Sequence, residues 1–370
     1  MEASKPGEIK KTPFYKYHVE AGAKMVPFAG YSMPIQYTGI IEEHLAVRQS
    51  VGLFDLTHMG EFEVSGTRAL DFIQKMTTND ASLLKPGQIQ YSALCYDDGG
   101  IVDDLLVYRL ADRFMLVVNA SNIEKDFDWL KSHLFDGVNL INHSDDIALL
   151  AIQGPKAQKV MAQLTDLNLD SLPYYHSAEA KVGRHQLLFS RTGYTGEDGF
   201  EIYIPNALAD DLWKTVISAG RNFDMKLIGL GARDSLRLEM KMALYGNDID
   251  KTTTPIEAGL AWIVSFEKGD FIGRDILRRQ KEEKPKRRLI CLELTEKAFP
   301  RHGYELVSDG TVVGHVTSGT MSPSLNKPIA MGYLPLELTK LGSQVHVKIR
   351  DKLHPAVVVK PPFYKEGTHK

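Results

Sequence analysis

The chain has 370 residues, of which 43% are hydrophobic and 25% are charged, and its formal net charge is −3. This length predicts two or three domains, and the composition is that of a soluble globular protein without a long disordered part. Acidic and basic residues are mixed along the chain. That balance argues against a nucleic-acid-binding protein and against a basic patch for membrane surfaces.

Apolar runs and cysteines bear on the compartment of the protein. No apolar run approaches the roughly 18–20 residues that a membrane-spanning helix needs. The N-terminal segment Met1–Glu8 lacks the hydrophobic stretch of a signal peptide. Cys95 and Cys291 are the two cysteines, and they predict two free thiols, with a single disulfide as the alternative. We therefore expect a cytoplasmic protein.

Strand and helix patterns alternate irregularly in the first part of the chain. The turn Asp97-Asp98-Gly99-Gly100 predicts a hairpin. Ser121 or Asn122 is expected to cap a helix that runs to about His133. The other elements predicted here are strands at Glu61–Ser65, Gln90–Tyr96, Ile101–Leu110, Phe114–Asn119 and Ile147–Gln153, and a helix over Thr67–Thr77.

A second run of elements follows in approximately the same order. It comprises a helix over Lys156–Leu164, strands at Lys181–Ser190 and Phe200–Ile204, and a helix over Ala207–Ala219. Helices interleaved with antiparallel strand pairs predict the α+β class rather than regular βαβ crossovers.

The composition changes after Gly273. A helical stretch ends in a charged segment, interpreted as an exposed helix end and linker over residues 276–288. Short strands with Gly and Asn turns then predict a small β-barrel or sandwich over residues 289–370. The expected domains are therefore residues 1–275, two interleaved α+β units, and residues 289–370. The strands predicted in the latter are Leu289–Leu294, Tyr304–Val307, Thr311–Thr317, Ile329–Tyr333, Gln344–Ile349 and Pro355–Val359.

Two adjacent aspartates, Asp103 and Asp104, interrupt an apolar strand. Side chains alternate between the faces of a strand, so the two carboxylates point in opposite directions. The face of Asp103 is predicted to carry Ile101, Leu105 and Val107, and that of Asp104 to carry Val102, Leu106 and Tyr108. An ionised carboxylate in an apolar setting is costly unless a positive or hydrogen-bonding group meets it. At least one of the pair is therefore expected to serve a function.

Three further segments suggest a binding site. In Phe54–Gly60, His58 is interpreted as a hydrogen-bonded structural histidine. In Ser190–Tyr203, closely spaced glycines permit close approach to a ligand, Tyr194 offers a stacking face, and Glu201 suits paired N–H donors. In Gly229–Glu239, a loop enters a helix with Arg233 near its start, a residue suited to planar carboxylate or carbonyl groups.

Several common catalytic motifs are absent from the sequence. It contains no His-Glu-x-x-His, no Walker loop, no Gly-x-Ser-x-Gly and no metal-ligand spacing of Cys or His. A metal enzyme, a kinase and a serine hydrolase are therefore not expected.

Taken together, these segments resemble the aminomethyltransferase family, the T proteins of the glycine cleavage system. The resemblance runs from Thr12-Pro13 to Pro362-Phe363-Tyr364. Besides the segments above it includes Met33-Pro34, Thr78-Asn79-Asp80, Gly99–Asp104 and Thr317–Pro323. It implies a three-domain cloverleaf, with two antiparallel-sheet α+β folate-binding units and a C-terminal, jelly-roll-like β-barrel.

The resemblance also implies a reaction and partners. An aminomethyl group on the lipoyl arm of H protein would pass its one-carbon unit to tetrahydrofolate, giving 5,10-methylenetetrahydrofolate, ammonia and dihydrolipoyl H protein. The protein would be coupled functionally to glycine dehydrogenase (decarboxylating) and lipoamide dehydrogenase. No metal, nucleic acid or membrane is implied as a partner.

Residue by residue, Asp104 falls at the catalytic aspartate of the family, whereas Asp103 is expected to be structural. The family's folate-lining positions correspond to Met59, Tyr91, Asn119, Tyr194, Glu201 and Arg233. Where the family often has an arginine after Pro-Phe-Tyr, this chain has Lys365. Lysine keeps the charge but lacks the bidentate fork of arginine, so this contact with folate is left open.

Three alternative functions are open to a chain with these motifs. A folate-binding paralogue acting in iron–sulfur assembly or RNA modification would carry a Lys-Gly-Cys-x-x-Gly-Gln-type segment. The equivalent region here is Tyr194-Thr195-Gly196-Glu197 and has no cysteine. A sarcosine- or dimethylglycine-oxidising flavoenzyme would have a flavin-binding domain before this region, and a non-catalytic folate sensor would be expected to lack the strand aspartate.

Overall fold

Alternating apolar residues build three sheets and a closed barrel in the computed structural model, which describes residues 9–369. The prediction for Met1–Glu8 and the outer limits of the predicted domains lie outside this part of the chain. The helices are α1 Tyr15–Glu20, α2 Ile40–Gln49, α3 Ala69–Met76, α4 Ile123–Ser132, α5 Ala157–Met161, α6 Ala209–Gly220, α7 Leu230–Glu239 and α8 Arg274–Glu283.

The strands occupy most of the remaining chain, and their pairings are largely antiparallel. They are β1 Lys10–Lys11, β2 Lys24–Phe28, β3 Tyr31–Gln36, β4 Gly52–Asp55, β5 Gly60–Ser65, β6 Ile89–Cys95, β7 Ile101–Arg109, β8 Phe114–Val118, β9 Asn139–Asn142, β10 Ile147–Gln153, β11 His176–Val182, β12 His185–Arg191, β13 Gly199–Pro205, β14 Lys226–Leu227, β15 Arg287–Leu294, β16 Glu305–Ser308, β17 Thr311–Ser322, β18 Lys327–Pro335, β19 Gln344–Ile349 and β20 Lys352–Val359. The α+β class is confirmed.

The first large sheet has five strands in the order β6-β7-β8-β5-β9. Helices α3 and α4 cover one of its faces, where Phe72, Ile73 and Leu130 join the strand residues Phe62 and Leu116 in a buried core. The apolar spacing in α3 places these side chains on one stripe, which is the reason the segment forms a helix against the sheet.

The second large sheet has six strands in the order β11-β12-β13-β10-β4-β14. The single strand predicted over Lys181–Ser190 is wrong, since β11 and β12 form a hairpin that turns at Gly183, where φ is +61°. Gly183 interrupts the alternating pattern and permits the left-handed turn that separates the two strands. Strand β4 precedes the whole first sheet in sequence yet pairs with β10, so the two sheets are interleaved along the chain.

The uncovered faces of the two sheets pack against each other. Leu106 and Tyr108 of β7 meet Leu149 of β10 and Tyr203 of β13 in this layer. Strands of both sheets therefore share one layer, and residues two apart on a strand lie at successive depths within it. This arrangement positions two cavities, both lined by residues of this layer.

The C-terminal barrel closes in the order β15-β18-β17-β16-β19-β20, with β20 pairing back to β15. Its interior is filled by apolar residues such as Leu292, Leu306 and Val347, and the predicted barrel is confirmed. Residues of β15 and β18 also pack against Leu238 of α7, which anchors the barrel to the rest of the chain.

Cys95 and Cys291 are buried free thiols, as expected from their number. Among the helices of residues 9–369, none has the length and apolar character needed to cross a membrane.

Candidate functional site

A cavity of about 740 Å³ opens at one end of the layer between the two large sheets, and we call it the central cavity. Seven of the residues singled out from the sequence line it: Met59, Tyr91, Asp104, Asn119, Tyr194, Glu201 and Arg233. Lys365 does not line it. Its side chain is exposed on the C-terminal tail, whereas Phe363 before it is buried against the barrel and His369 after it lies at the cavity.

Asp104 contributes a carboxylate held by two neutral donors. The Tyr91 hydroxyl donates to Oδ2 at 2.7 Å, and Asn119 Nδ2 donates to Oδ1 at 2.8 Å. Burial raises the pKa of Asp104 to about 7, and the neighbouring charge of Asp103 adds to the rise, while both hydrogen bonds oppose it. Among residues 9–369, no lysine, arginine or histidine forms an ion pair with Asp104. The carboxylate is therefore available to form an ion pair with a positively charged group of a ligand.

Asp103 points away from the cavity and is satisfied within the protein. Its Oδ2 accepts a hydrogen bond from the Asn119 backbone N–H at 3.0 Å, and Oδ1 accepts from Asn119 Nδ2 at 2.9 Å and Asn122 Nδ2 at 2.6 Å. Burial, followed by the charge of Asp103, raises the pKa of Asp126 to about 11. The protonated form of Asp126 is therefore favoured beside Asp103.

The facing predicted for the aspartate strand holds from Asp103 onward. Leu105 and Val107 pack in the helix-covered core, whereas Leu106 and Tyr108 lie in the layer between the sheets. Two residues are exceptions: Val102 packs in the same core as Leu105, and Ile101 packs outside that core, with Ala93 and Cys95. The register shifts between Leu94 and Cys95 opposite this point, and such a bulge moves the side chain to the other face.

The opposite wall of the cavity carries Glu201, Arg233 and Tyr194. Thr192 donates its hydroxyl to Glu201 Oε2, and burial raises the pKa of Glu201 while that hydrogen bond and the charge of Arg233 oppose the rise. The Arg233 guanidinium lies 4.7 Å from the centre of the Tyr194 ring. The Tyr194 hydroxyl donates to the Ala243 backbone carbonyl, which fixes the plane of the ring.

Glycines shape the loop that carries Tyr194. A Cβ on Gly193 would lie 2.0 Å from Gln153 Oε1, and one on Gly199 would lie 2.3 Å from Gln153 Nε2. Gln153 uses this space to donate to the Thr192 carbonyl at 3.0 Å and to accept from the Thr195 hydroxyl at 2.9 Å. The side chain of Gln153 therefore fixes the loop through these two hydrogen bonds.

His58 is buried, but the hydrogen bond expected of it is absent within residues 9–369. Its Nδ1 has no partner, and the ring instead meets Phe28 edge-on at 5.4 Å. Burial, followed by the charge of Arg233, lowers the pKa of His58 to about 3, so the ring is neutral. His58 therefore contributes packing beside the site.

The structure brings further residues to the cavity that had not been singled out. Trp262 is 68% exposed and lies at the cavity with its ring 5.8 Å from that of Tyr91. No local pattern distinguishes such a residue, because it reaches the site only through the fold. The others of note are Tyr174, Tyr175, Thr192, Lys241 and His369.

No group of three or more His, Cys, Asp or Glu side chains in the described part of the chain is arranged to hold a metal ion. The cavity is lined by two carboxylates, by Arg233, Lys241 and His369, and by several aromatic rings.

Comparisons with known proteins agree over nearly the whole chain. The family model described as the GCVT N-terminal domain matches residues 14–268, and the glycine cleavage T-protein C-terminal barrel domain matches residues 287–365. The chain is 52% identical to an aminomethyltransferase of Chloroherpeton thalassium, covering 96% of this chain and 99% of that protein. It is 48% identical to one from Bacillus subtilis, again with 96% and 99% covered.

A solved structure shows the same architecture. The crystal structure of glycine cleavage system aminomethyltransferase T from Bartonella henselae superposes with a TM-score of 0.92 at 38% identity, covering 98% of this chain and 100% of that one. The likeness spans the sheets that form the cavity as well as the barrel. The chain therefore belongs to the glycine cleavage T-protein family and is an aminomethyltransferase of the glycine cleavage system.

Proposed function

We propose that the central cavity binds tetrahydrofolate and that Asp104 promotes transfer of a one-carbon unit to it from the aminomethylated lipoyl arm of H protein. The products would be 5,10-methylenetetrahydrofolate, ammonia and dihydrolipoyl H protein. The observation that carries this proposal is the Asp104 carboxylate, which lines the cavity with two neutral donors and no cationic partner among residues 9–369.

The cavity suits a reduced folate in size and in the groups that line it. A volume of about 740 Å³ lies within the range of small-molecule sites. Glu201 can accept two N–H donors from the edge of a pterin, and Tyr194 and Tyr175 offer aromatic faces beside it. Met59 supplies a flexible apolar contact that can adapt to the ring. Arg233 would bind a carbonyl or carboxylate oxygen of the ligand.

The folate would supply a nucleophilic amine for the one-carbon unit. Positive charge develops on the aminomethyl carbon as its bond to sulfur weakens, and Asp104 would stabilise that charge from a partly desolvated position. A pKa of about 7 also lets the same carboxyl accept and return a proton near neutral pH.

Tyr91 and Asn119 would act as positioning residues for Asp104. Asn119 Nδ2 donates to both Asp103 Oδ1, at 2.9 Å, and Asp104 Oδ1, at 2.8 Å. The side-chain amide of Asn119 thereby connects the buried Asp103 to Asp104 in the cavity. Because the Asn119 backbone N–H also donates to Asp103, the turn after β8 fixes the orientation of Asp104.

The proposed partners follow from this chemistry. H protein would present the lipoyl arm at the mouth of the central cavity, where Trp262 is exposed beside Tyr91. Glycine dehydrogenase (decarboxylating) would load that arm, lipoamide dehydrogenase would reoxidise it, and we propose that this cycle runs in the cytoplasm. Lys365 is left out of the proposed site because its side chain is exposed and does not line the cavity.

We further propose that residues 1–275 and 289–370 are the two large domains, with residues 276–288 between them. Helix α8 and the following basic residues occupy the connecting segment. Support comes from the family matches, which end at residue 268 and resume at residue 287.

The alternative of a folate-binding paralogue with a reactive cysteine finds little support. Cys95 and Cys291 are buried in β6 and β15, and neither lines the central cavity. Burial, the largest influence on each, raises the pKa of both thiols to about 12, which leaves them protonated and unreactive.

The proposal is tested by mixing the purified protein with aminomethyl-loaded H protein, with and without tetrahydrofolate. We expect rapid release of ammonia only when tetrahydrofolate is present, together with formation of 5,10-methylenetetrahydrofolate. Ammonia release at the same rate in both mixtures would overturn the proposal.

A further inference from the structure

A second cavity lies at the other end of the layer between the sheets, and we call it the rear cavity. It has a volume of about 460 Å³. The same strands reach both cavities. On β13, Glu201 lines the central cavity and Tyr203 lines the rear cavity. On β8, Val117 lines the central cavity and Met115 lines the rear cavity. Between the cavities the layer is filled by buried side chains of both sheets.

A continuous row of buried hydroxyls crosses this layer. The Tyr203 and Tyr108 hydroxyl oxygens are 2.7 Å apart, Tyr108 and Ser190 are 3.1 Å apart, and Ser190 and Thr192 are 2.6 Å apart. Thr192 then donates to Glu201. Exposure of these four hydroxyl-bearing residues ranges from 0% to 4%. The row therefore joins a residue of the rear cavity to the carboxyl group of the central cavity.

The rear end of the row carries a second buried carboxyl group. Glu61 is 1% exposed, lines the rear cavity, and has no hydrogen-bond partner for either oxygen among residues 9–369. Burial, followed by the charge of Glu201, raises its pKa well above the ordinary value. Its charge in turn contributes to the raised pKa of Tyr203. Two carboxyl groups that repel each other thus flank one hydroxyl row.

Each hydroxyl in the row can donate one hydrogen bond and accept another. When Glu201 is ionised, all four hydroxyls can point towards it. When Glu201 is protonated, the direction of donation can reverse along the whole row. A change in the ionisation of Glu201 is therefore transmitted across the layer by hydroxyl reorientation.

We propose that the row Tyr203–Tyr108–Ser190–Thr192 conducts a proton between Glu201 and the rear cavity when a reduced folate binds. The inference rests on the proposed function, in which the two oxygens of Glu201 accept paired N–H donors of the pterin. Glu201 must be ionised to do so. The Glu201 carboxyl group gives its proton to Thr192 while Thr192 gives its own hydroxyl proton to Ser190. Ser190 passes a proton to Tyr108 in the same way, and Tyr108 passes one to Tyr203. Tyr203 then releases its hydroxyl proton to water in the rear cavity. Every hydroxyl ends neutral, and one proton leaves the protein.

Other charged and titratable groups also face Glu201 and would modulate this transfer. Burial favours the protonated form of Glu201, and the charge of Arg233 favours the ionised form. The groups that sense its charge come from several elements packed around it: Glu61 on β5, Tyr108 on β7, Tyr174 and Tyr175 before β11, and Tyr203 on β13.

The experiment uses the full-length protein and 5-formyltetrahydrofolate, whose N5 is blocked. Binding is followed by Trp262 fluorescence and proton release by a pH indicator in weakly buffered, mildly acidic to neutral solution, both in a stopped-flow instrument. In the unmodified protein we expect proton release to keep pace with binding. In Tyr108→Phe we expect binding affinity within about threefold but proton release slower by about tenfold or more.

The controls separate the row from the rest of the site. Tyr17→Phe removes a buried hydroxyl with no partner among residues 9–369 and should behave as the unmodified protein. Ser190→Ala removes the hydroxyl between Tyr108 and Thr192. This variant replaces Tyr108→Phe in the experiment if Tyr108→Phe fails to fold. Proton release as fast in the interrupted variants as in the unmodified protein, or no release at all, would overturn the proposal. Unchanged folate affinity in Glu201→Gln would instead overturn the role assigned to Glu201 in the proposed function.

Discussion

The Tyr91 hydroxyl donates a hydrogen bond of 2.7 Å to Asp104 Oδ2, across the neighbouring strands β6 and β7. The bond stabilises the ionised form of a carboxylate that burial and the charge of Asp103 would otherwise keep protonated. The pKa of Asp104 therefore lies near neutral pH. A carboxyl group with such a pKa can both pair with a cation and exchange a proton at the working pH.

Asp104→Asn should abolish most of the activity while leaving the fold intact. We expect turnover to fall by about 10²–10⁴-fold, the usual contribution of a positioned acid or base. Asn is close in size to Asp and can still accept from Asn119 and pair with Tyr91. The measurement is the folate-dependent rate of ammonia release, with circular dichroism as the check on folding.

Asp103→Asn is the matched comparison. An amide at this position would face donors from Asn119 and Asn122, so we expect a loss of about 1–3 kcal/mol in the free energy of unfolding. Its effect on turnover should be clearly smaller than that of Asp104→Asn. Equal losses of turnover in the two variants would contradict the assignment of separate roles to the two faces of β7.

Tyr91→Phe should move the acidic limb of the pH–rate profile upward. Turnover is expected to rise with pH through about 7, because the ionised form of Asp104 is the active one. Without the Tyr91 hydroxyl that form loses a donor, so the limb should shift by about one pH unit to higher values. Tyr96→Phe, away from the cavity, should leave the limb in place, and an unshifted limb in Tyr91→Phe would contradict the positioning role.

Asp104 should also make stability depend on pH. The folded protein keeps a proton on Asp104 up to pH about 7, whereas the unfolded chain loses it near its ordinary value of 3.8. Between these values the folded state binds more protons, so the contribution of Asp104 to stability falls as pH rises. Relative to the unmodified protein, Asp104→Asn should therefore be more stable above pH 7 than in acid. The measurement is thermal unfolding of both proteins across this pH range. A stability of Asp104→Asn, relative to the unmodified protein, that falls as pH rises would contradict the assignment.

Glu201→Gln should weaken the binding of reduced folates. A neutral amide can accept one N–H donor but presents its own donor to the other, so we expect a loss of about 1.5–3 kcal/mol in the free energy of binding. Glu63→Gln, whose side chain lines the rear cavity, is the control and should leave affinity unchanged. Isothermal titration with 5-formyltetrahydrofolate measures both.

Arg48 should matter for stability rather than for catalysis. This buried side chain donates to Glu197 at 2.8 Å and to Glu239 at 2.9 Å, joining α2 to α7 and to the loop before β13. Arg48→Met would remove the cation that these two buried carboxylates share, so we expect a loss of about 3–5 kcal/mol in the free energy of unfolding, measured with denaturant. The exposed pair Arg68–Asp71 is the control, and Arg68→Met should change stability by less than about 1 kcal/mol.

The same cluster should set part of the acid sensitivity. Burial opposes ionisation of Glu239, but the hydrogen bond from His44 and the charges of His44 and Arg48 outweigh it and lower the pKa to about 2. This stabilisation is fully present above the ordinary value of 4.5 and is lost as pH falls towards 2. Glu239→Gln should therefore show a shallower decline in stability over that range. An equally steep decline would assign the acid sensitivity to other groups.

Much of the fold was predictable because its signals are local. Short apolar runs bounded by turn residues located β7 and β10, and glycine-rich and asparagine-containing turns located most barrel strands to within a few residues. The hairpin at Gly183 was missed because its two strands have no long polar gap between them. No element was predicted in the first fifty residues, where β3 and α2 pack against α7 far along the chain.

At the candidate site, strand alternation was enough to predict that Asp103 and Asp104 face opposite ways. The fold was needed to show that Tyr91 and Asn119 hold Asp104, that Lys365 lies outside the cavity and that Trp262 lines it. The fold also brings together the four hydroxyls between the cavities, which come from β7, β12, β13 and the loop after β12. Hydrogen bonds and burial depend on distances between segments far apart in the chain, whereas periodicity reports only the neighbours along it.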